Sequence, residues 1–371
     1  VRPMTTVESR DATVATKGRR ALRLLGAPHI TVACLLWFGV LTVWGTLYQA
    51  DPLHGLHGAV QRFFHSWFFL AGGVVPLPGV QGTSALFLAN LFASMLTRFE
   101  RPSRAIGLWI VHVGLVVLFL GGLLSRQYGR ETTLVLADGE KASMSVSETG
   151  WEIAVLTPGA EGRREVRAYD VRNLRAGGSL AVPGVPGSVG VVRVIYAAVV
   201  SPAAGLTPSP EQVTDAPAAS DPRMDRPAVV LRAGDERLVL LGEGPAAVLH
   251  LEGGGEAHLL LRRARLPLPV SVKLIDFEKK FHPNSGIARS FSSRVEVDSG
   301  GRAREVTISM NRPYRHGAFT FFQSSYMDNP RGPEVSIFAV SENHARLLPY
   351  AATLIMFAGM AVHYLPRRRR T

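Results

Sequence analysis

The chain has 371 residues, 47% of them hydrophobic, and a mean hydropathy of +0.15, so it is too long and too apolar for one ordinary soluble domain. Its net charge of +12 sits partly in terminal arginine runs that read as topology anchors touching anionic lipid, and no basic patch belongs to a nucleic-acid recognition fold. The single cysteine, Cys34, leaves no internal disulfide, and without C-x-x-C or C-x-x-C-H the chain is itself neither a thiol oxidoreductase nor a c-type cytochrome.

Residues 1–25 read as a cytoplasmic basic arm with Lys17, Arg19, Arg20 and Arg23. Residues 26–125 predict three membrane-spanning helices. The first, Ile30 to Tyr48, carries no charge and is too long for the core of a cleaved signal peptide. The stretch from Ser66 to Thr97 is uncharged but broken by Pro76, Pro78 and Gly79. Its opening part, residues 66–80, therefore reads as an interfacial or re-entrant segment, and Thr83 to Thr97 as the second span. The third span is Ala105 to Ser125, AIGLWIVHVGLVVLFLGGLLS. Leu347 to Leu365, within residues 347–366, is the fourth, and 367–371 form a basic tail.

Arg98, Arg101 and Arg104 lie between the second and third spans, whereas the loop after the first holds Arg62 beside Asp51. This bias puts both termini and the basic turn in the cytoplasm, and residues 126–346 outside it. That outward segment changes to short alternating runs such as WEIAVL, VSVKLIDF, REVTISM and EVSIFAV between Gly, Pro, Asp and Ser, which predicts an all-β sandwich or barrel-like domain. Within it residues 201–227, rich in Pro and Ala, read as a flexible insert with no core to form. The fold class is thus membrane α plus extracytoplasmic all-β, in a multi-pass protein of the cell inner membrane.

The third span contains His112, and an imidazole at lipid depth needs a partner. Gly107, Gly114 and Gly121 recur every seven residues as a smooth stripe for close helix packing. His112 points away from that stripe and shares its face with Trp109, Val116 and Phe119. Two readings stand: a hydrogen bond to a neighbouring helix, or axial ligation of haem iron. Entering from the cytoplasm, the span holds His112 about 10 Å from Ala105. His29 and His363 lie toward the same side, which predicts three imidazoles in the inner half of the bilayer, the latter two equally readable as interfacial anchors. His54, His57 and His65 have a spacing that suits a metal but lack a carboxylate or thiolate framework.

WGTLYQ (44–49), FFHSWFF with the following PLPG (63–79), LFLANLFAS (86–94), HPNSGIARSFSSRVEV (282–297), TISMNRPYRHGAFTFFQSSY (307–326) and LLPYAATLIMFAGMAVHY (347–364) occur in an order that resembles the ResB (CcsB) family of System II cytochrome c biogenesis proteins. The resemblance implies a four-span subunit of a holocytochrome c synthase complex, not an enzyme alone. It would move haem b across the membrane with a ResC/CcsA-type haem-handling partner and present it to apocytochrome c, with a thioredoxin-like thiol reductant as a further partner. It makes His112 a haem ligand; the helix face sets Trp109 and Phe119 beside it as apolar flanks, and depth adds His363 and His29 as secondary candidates. Asn311, Pro313, Phe322, Gln323 and Tyr326 are the candidate partner contacts, a turn and a buried strand being the alternative reading. A non-haem scaffold whose β domain docks assembly partners is the rival function. A di-haem quinol oxidoreductase ranks behind both, because only His112 is deep.

Overall fold

The computed structural model describes residues 18–51, 55–98, 102–159, 162–185, 187–201, 208–219, 221–252, 254–283, 288–328 and 332–365. Lys17, His54, Arg101 and the 367–371 tail, all used in the sequence reading, lie outside them. The chain divides into a helical unit (1–129 and 344–371) and a β unit (130–343). Acidic and basic residues are equal in number between Arg130 and Asn343, so the net charge of +12 is carried by the helical unit's segments.

In the helical unit α1 covers residues 18–25, and α2 (Pro28–Gln49) follows after a break at Gly26–Ala27. Pro28 supplies no N–H, so the break leaves carbonyls to satisfy. Asn90, 1% exposed on α4 (Val80–Arg98), does this: its amide donates to Leu25 O (2.6 Å) and Ala27 O (3.0 Å), and its carbonyl accepts from Thr31 Oγ1 (2.6 Å). Gly26 lets the two backbones approach; a Cβ there would lie 2.7 Å from Ser94 N.

The segment between α2 and α4 folds back on α2. A short α3 (Gly55–Ala59) runs into a π turn (Val60–Phe64), then into the hairpin β1 (Phe68–Ala71) and β2 (Val75–Pro78), with Gly72 and Gly73 at positive φ in its turn. Leu41, Phe63 and Phe69 are buried together, with Trp44 and Tyr48 rings 5.6 and 5.2 Å from Phe63, and Trp37 Nε1 donates to Pro78 O at 2.9 Å. The 66–80 segment is therefore a hairpin pinned to the C-terminal half of α2, and α4 starts beside Trp37.

Helices α5 (Pro102–Tyr128) and α6 (Leu348–Tyr364) form a close pair. Among the described residues Pro28–Gln49, Val80–Thr97 and Ile106–Tyr128 are long and apolar enough to cross a membrane; α6 is apolar but has 17 residues.

The β unit is built on two long strands, β4 (Lys141–Pro158) and β13 (Glu256–Phe281), which pair antiparallel and shift register between Arg263 and Arg265 and between Pro267 and Val272. One half of this pair adds β5 (Arg164–Asp170) and β12 (Ala247–His250). With the sheet of β6 (Ser179–Leu180), β7 (Val189–Ile195), β10 (Ala228–Ala233) and β11 (Glu236–Leu241), it encloses a core of Ile153, Val155, Val191, Leu231 and Leu259. The other half joins β3 (Arg130–Ala137), β14 (Ala288–Ser299), β15 (Arg302–Ser309), β16 (Tyr314–His316), β17 (Phe319–Met327) and β18 (Val335–Glu342) around Leu134, Val272, Val295, Phe321 and Phe338. Arg304 on β15 donates to Tyr314 Oη on β16 at 2.8 Å, so the two ends of that strand order meet and the sheet curls. Between the two cores Glu152, 5% exposed, receives Arg262 Nε at 2.9 Å and the Arg265 N–H at 3.2 Å, a buried charge with its lone pairs used.

The Pro/Ala-rich insert departs from expectation. β8 (Ala198–Val200) pairs with β9 (Val213–Asp215), a 3₁₀ turn at Pro210–Gln212 opens with a Ser209–Gln212 capping box, and Val213 is 1% exposed against Ile195 and Ala228. The β8–β9 pairing and the buried Val213 seat the described part of the insert, which composition alone does not convey.

Candidate functional site

Helix α5 presents two chemically different faces. Gly107, Gly114 and Gly121 are buried against α6: a Cβ added at Gly107 would lie 2.6 Å from His363 N, at Gly114 3.0 Å from Ala352 O, and at Gly121 2.8 Å from Leu348 Cβ. Gly359 answers from α6, where a Cβ would lie 2.7 Å from Val111 N. The seven-residue stripe thus packs on this chain's own helix.

His112 is on the other face, half-buried with Trp109, while Val116 is 9% exposed and Phe119 meets Phe87 of α4 with ring centroids 5.0 Å apart. Its Nδ1 lies 2.7 Å from Leu108 O. A carbonyl oxygen only accepts, so Nδ1 carries a proton, and Nε2 is the ring nitrogen that can offer a lone pair. Neutral imidazole with its lone pair on Nε2 is the form that binds a metal.

The three helix histidines do not come together. His363 packs its backbone on Gly107, on the glycine side, and stacks edge-on with Tyr364 at 5.2 Å. His29 lines an apolar cleft of about 350 Å³ between α2 and α4 with Cys34, Trp37 and Leu86. They stand on different surfaces: α6 holds His363 to the glycine stripe, and His29 faces the cleft between α2 and α4. Among the described residues no group of three or more His, Cys, Asp or Glu could hold a metal ion, and His54 lies outside them.

Sequence reasoning did not single out two features here. Asn90 carries the clamp described above; an amide inside an apolar run is its signal. Arg126, in the last turn of α5, lines a second apolar groove of about 370 Å³ beside Phe119. His65 lies close to it: burial, then the charge of Arg126, then His57 push the His65 imidazole below its ordinary value of 6.5.

In the β unit Asn311 is exposed in the tight turn closed by Ser309 and Arg312, and Pro313 follows half-buried. On β17 the side chains alternate: Phe321 is inside, Phe322 is 40% exposed, and Gln323 is 5% exposed. Gln323 is not a surface contact. Its carbonyl accepts from Ser293 Oγ (2.6 Å), and its amide donates to Ser336 Oγ (2.9 Å) and Ser325 O (3.1 Å). Tyr326 stacks with Phe277 and Phe291 under Lys279, whose ammonium is raised above its ordinary range by Asp328 and Glu334.

Residues 247–337, from β12 into β18, match the model of the ResB-like family. Over these residues, about a quarter of its length, the chain is similar to the ResB-like family. Over 97 residues it is 32% identical to Protein NrfI of Wolinella succinogenes, a match that takes in 26% of this chain and spans only 10% of that relative's length. The ResB-like match holds Asn311, Pro313, Phe322, Gln323 and Tyr326, while His112 and the helical unit's other histidines lie outside it.

Proposed function

We propose that this ResB-like chain is a membrane subunit of a System II cytochrome c assembly complex that carries haem b and presents it for attachment to apocytochrome c. The observation that carries the reading is the setting of His112: an imidazole held by Nδ1 at 2.7 Å from Leu108 O, in the charge-free 105–125 run of α5, on the face turned away from the glycine stripe that packs on α6. Trp109 and Phe119 supply flat apolar walls on the same face. Haem is cargo here, and the redox and thioether chemistry belongs to it. His112 contributes one axial bond, and a histidine of a ResC/CcsA-type partner the other.

In this reading α2, α4, α5 and α6 are the four spans of an inner-membrane protein, with both termini cytoplasmic and the β unit outside, where it holds apocytochrome c or the partner's outer surface. Arg98, Arg101, Arg104 and the terminal arginines support that orientation. The family match lies wholly within the β unit, and this favours the second reading, a docking scaffold that carries no haem. Cytochrome c maturation in cells separates the two. His112→Ala abolishes maturation, and added imidazole, entering the vacated space, restores it. Normal maturation by His112→Ala would leave the scaffold.

A further inference from the structure

The groove beside Phe119 has the polarity of an amphiphile site. Phe64, Val80, Leu118, Phe119 and Leu123 wall it. Gln81, Ser84 and Arg126 also line it, and among the described residues the Arg126 guanidinium makes no hydrogen bond or ion pair. Gly122 lines it too, and unlike Gly107, Gly114 and Gly121 a Cβ there would meet nothing within 4 Å. That glycine leaves space where its neighbours on α5 make helix contact.

From this we infer that the groove between α4 and the C-terminal end of α5 is a porphyrin subsite, its apolar walls taking the macrocycle edge and Arg126 pairing with a propionate. The inference rests on haem being the cargo. Phe119 belongs both to the groove and to the His112 face, and Gly122 is ten residues, about 15 Å, further along α5 than His112. The groove is thus a second position on one continuous face, toward the extracytoplasmic end in the topology above. A planar guanidinium matches a carboxylate in two parallel hydrogen bonds, which a lipid acyl chain alone does not use.

The test uses the full chain in nanodiscs and iron-free protoporphyrin IX, read by quenching of tryptophan emission against empty discs. Without iron the ring needs no axial ligand, so His112→Ala leaves its affinity unchanged. Gly122→Leu, which fills open space, and Arg126→Gln each weaken binding by about tenfold. Protoporphyrin dimethyl ester binds the wild type about as weakly as protoporphyrin binds Arg126→Gln. Wild-type affinity in both variants overturns the subsite, even where His112→Ala strips haem and the proposed function stands. Tenfold loss in both variants, with haem retained by His112→Ala, keeps the subsite and removes the ligand assignment. An anionic phospholipid that co-purifies with wild type and is lost from Gly122→Leu, with porphyrin affinity unchanged, makes the groove a lipid seat and overturns the inference. Gly122→Ala, which leaves most of the space open, keeps wild-type affinity; matched melting curves confirm that all variants fold.

Discussion

Asn90 shows how a single side chain makes a broken helix tolerable at apolar depth. Pro28 and the break before it release two carbonyls, and one amide meets both while its own oxygen takes Thr31. Asn90→Leu fills similar volume but takes the amide donor from Leu25 O, while Ala27 O keeps the Ile30 N–H at 3.1 Å; the loss is about 1–3 kcal/mol for the unsatisfied group. The expected result is a clear fall in melting temperature in detergent, and an unchanged midpoint would show that the clamp is dispensable. Gln323 does the same for the β unit. Gln323→Leu leaves the Ser293 and Ser336 hydroxyls with only their bond to each other (2.7 Å) and takes the amide donor from Ser325 O, and urea denaturation is expected to show a loss of about 1–3 kcal/mol. His65 adds a pH dependence. Its imidazole titrates below its unfolded value, so the fold favours the neutral ring. That stability is complete above 6.5 and is lost as pH falls below it and through the lower folded value. Melting of the wild type should therefore drop on acidification from about pH 7.5 to 5.5, and His65→Gln should flatten that drop.

At the scale of elements, α5 and α6 are a pair because glycine permits contact that any side chain would block. Gly107→Leu places carbon within 2.7 Å of Gly359 O and His363 N, contacts with backbone that cannot be relieved by a rotamer. Overpacking of that kind costs about 1–3 kcal/mol, and Gly122→Ala, in open space, serves as the neutral control on the same helix. Similar melting points for the two would refute the packing role of the stripe. This pair was legible: a seven-residue glycine period in an apolar run specifies a smooth face, and the face found its helix. The apolar helices and the all-β character of residues 130–343 were legible for the same reason, since charge-free runs and two-residue alternation are local signals. The 68–78 hairpin was not. Pro76, Pro78 and Gly79 marked a break, but what holds the hairpin is a set of aromatic contacts to Trp44 and Tyr48 some twenty residues earlier. The bent strands β4 and β13 serve two cores at once, a long-range arrangement that alternation cannot display. Nor does spacing along a chain reveal that His29, His112 and His363 occupy three different faces.

At the scale of the whole molecule, the helical unit carries the net positive charge and the β unit none, which suits one unit anchored among anionic lipids and another free of that attraction. The ResB-like match belongs to the β unit, whereas the chemistry proposed for the chain depends on α5. The two are joined by one claim, that iron binds Nε2 of His112. The absorption spectrum of the full chain co-purified with its haem-handling partner tests it most directly. The account predicts a strong Soret band in the wild type that His112→Ala removes while the two proteins still co-purify. A band of equal height in that variant, or no band in either, would contradict it.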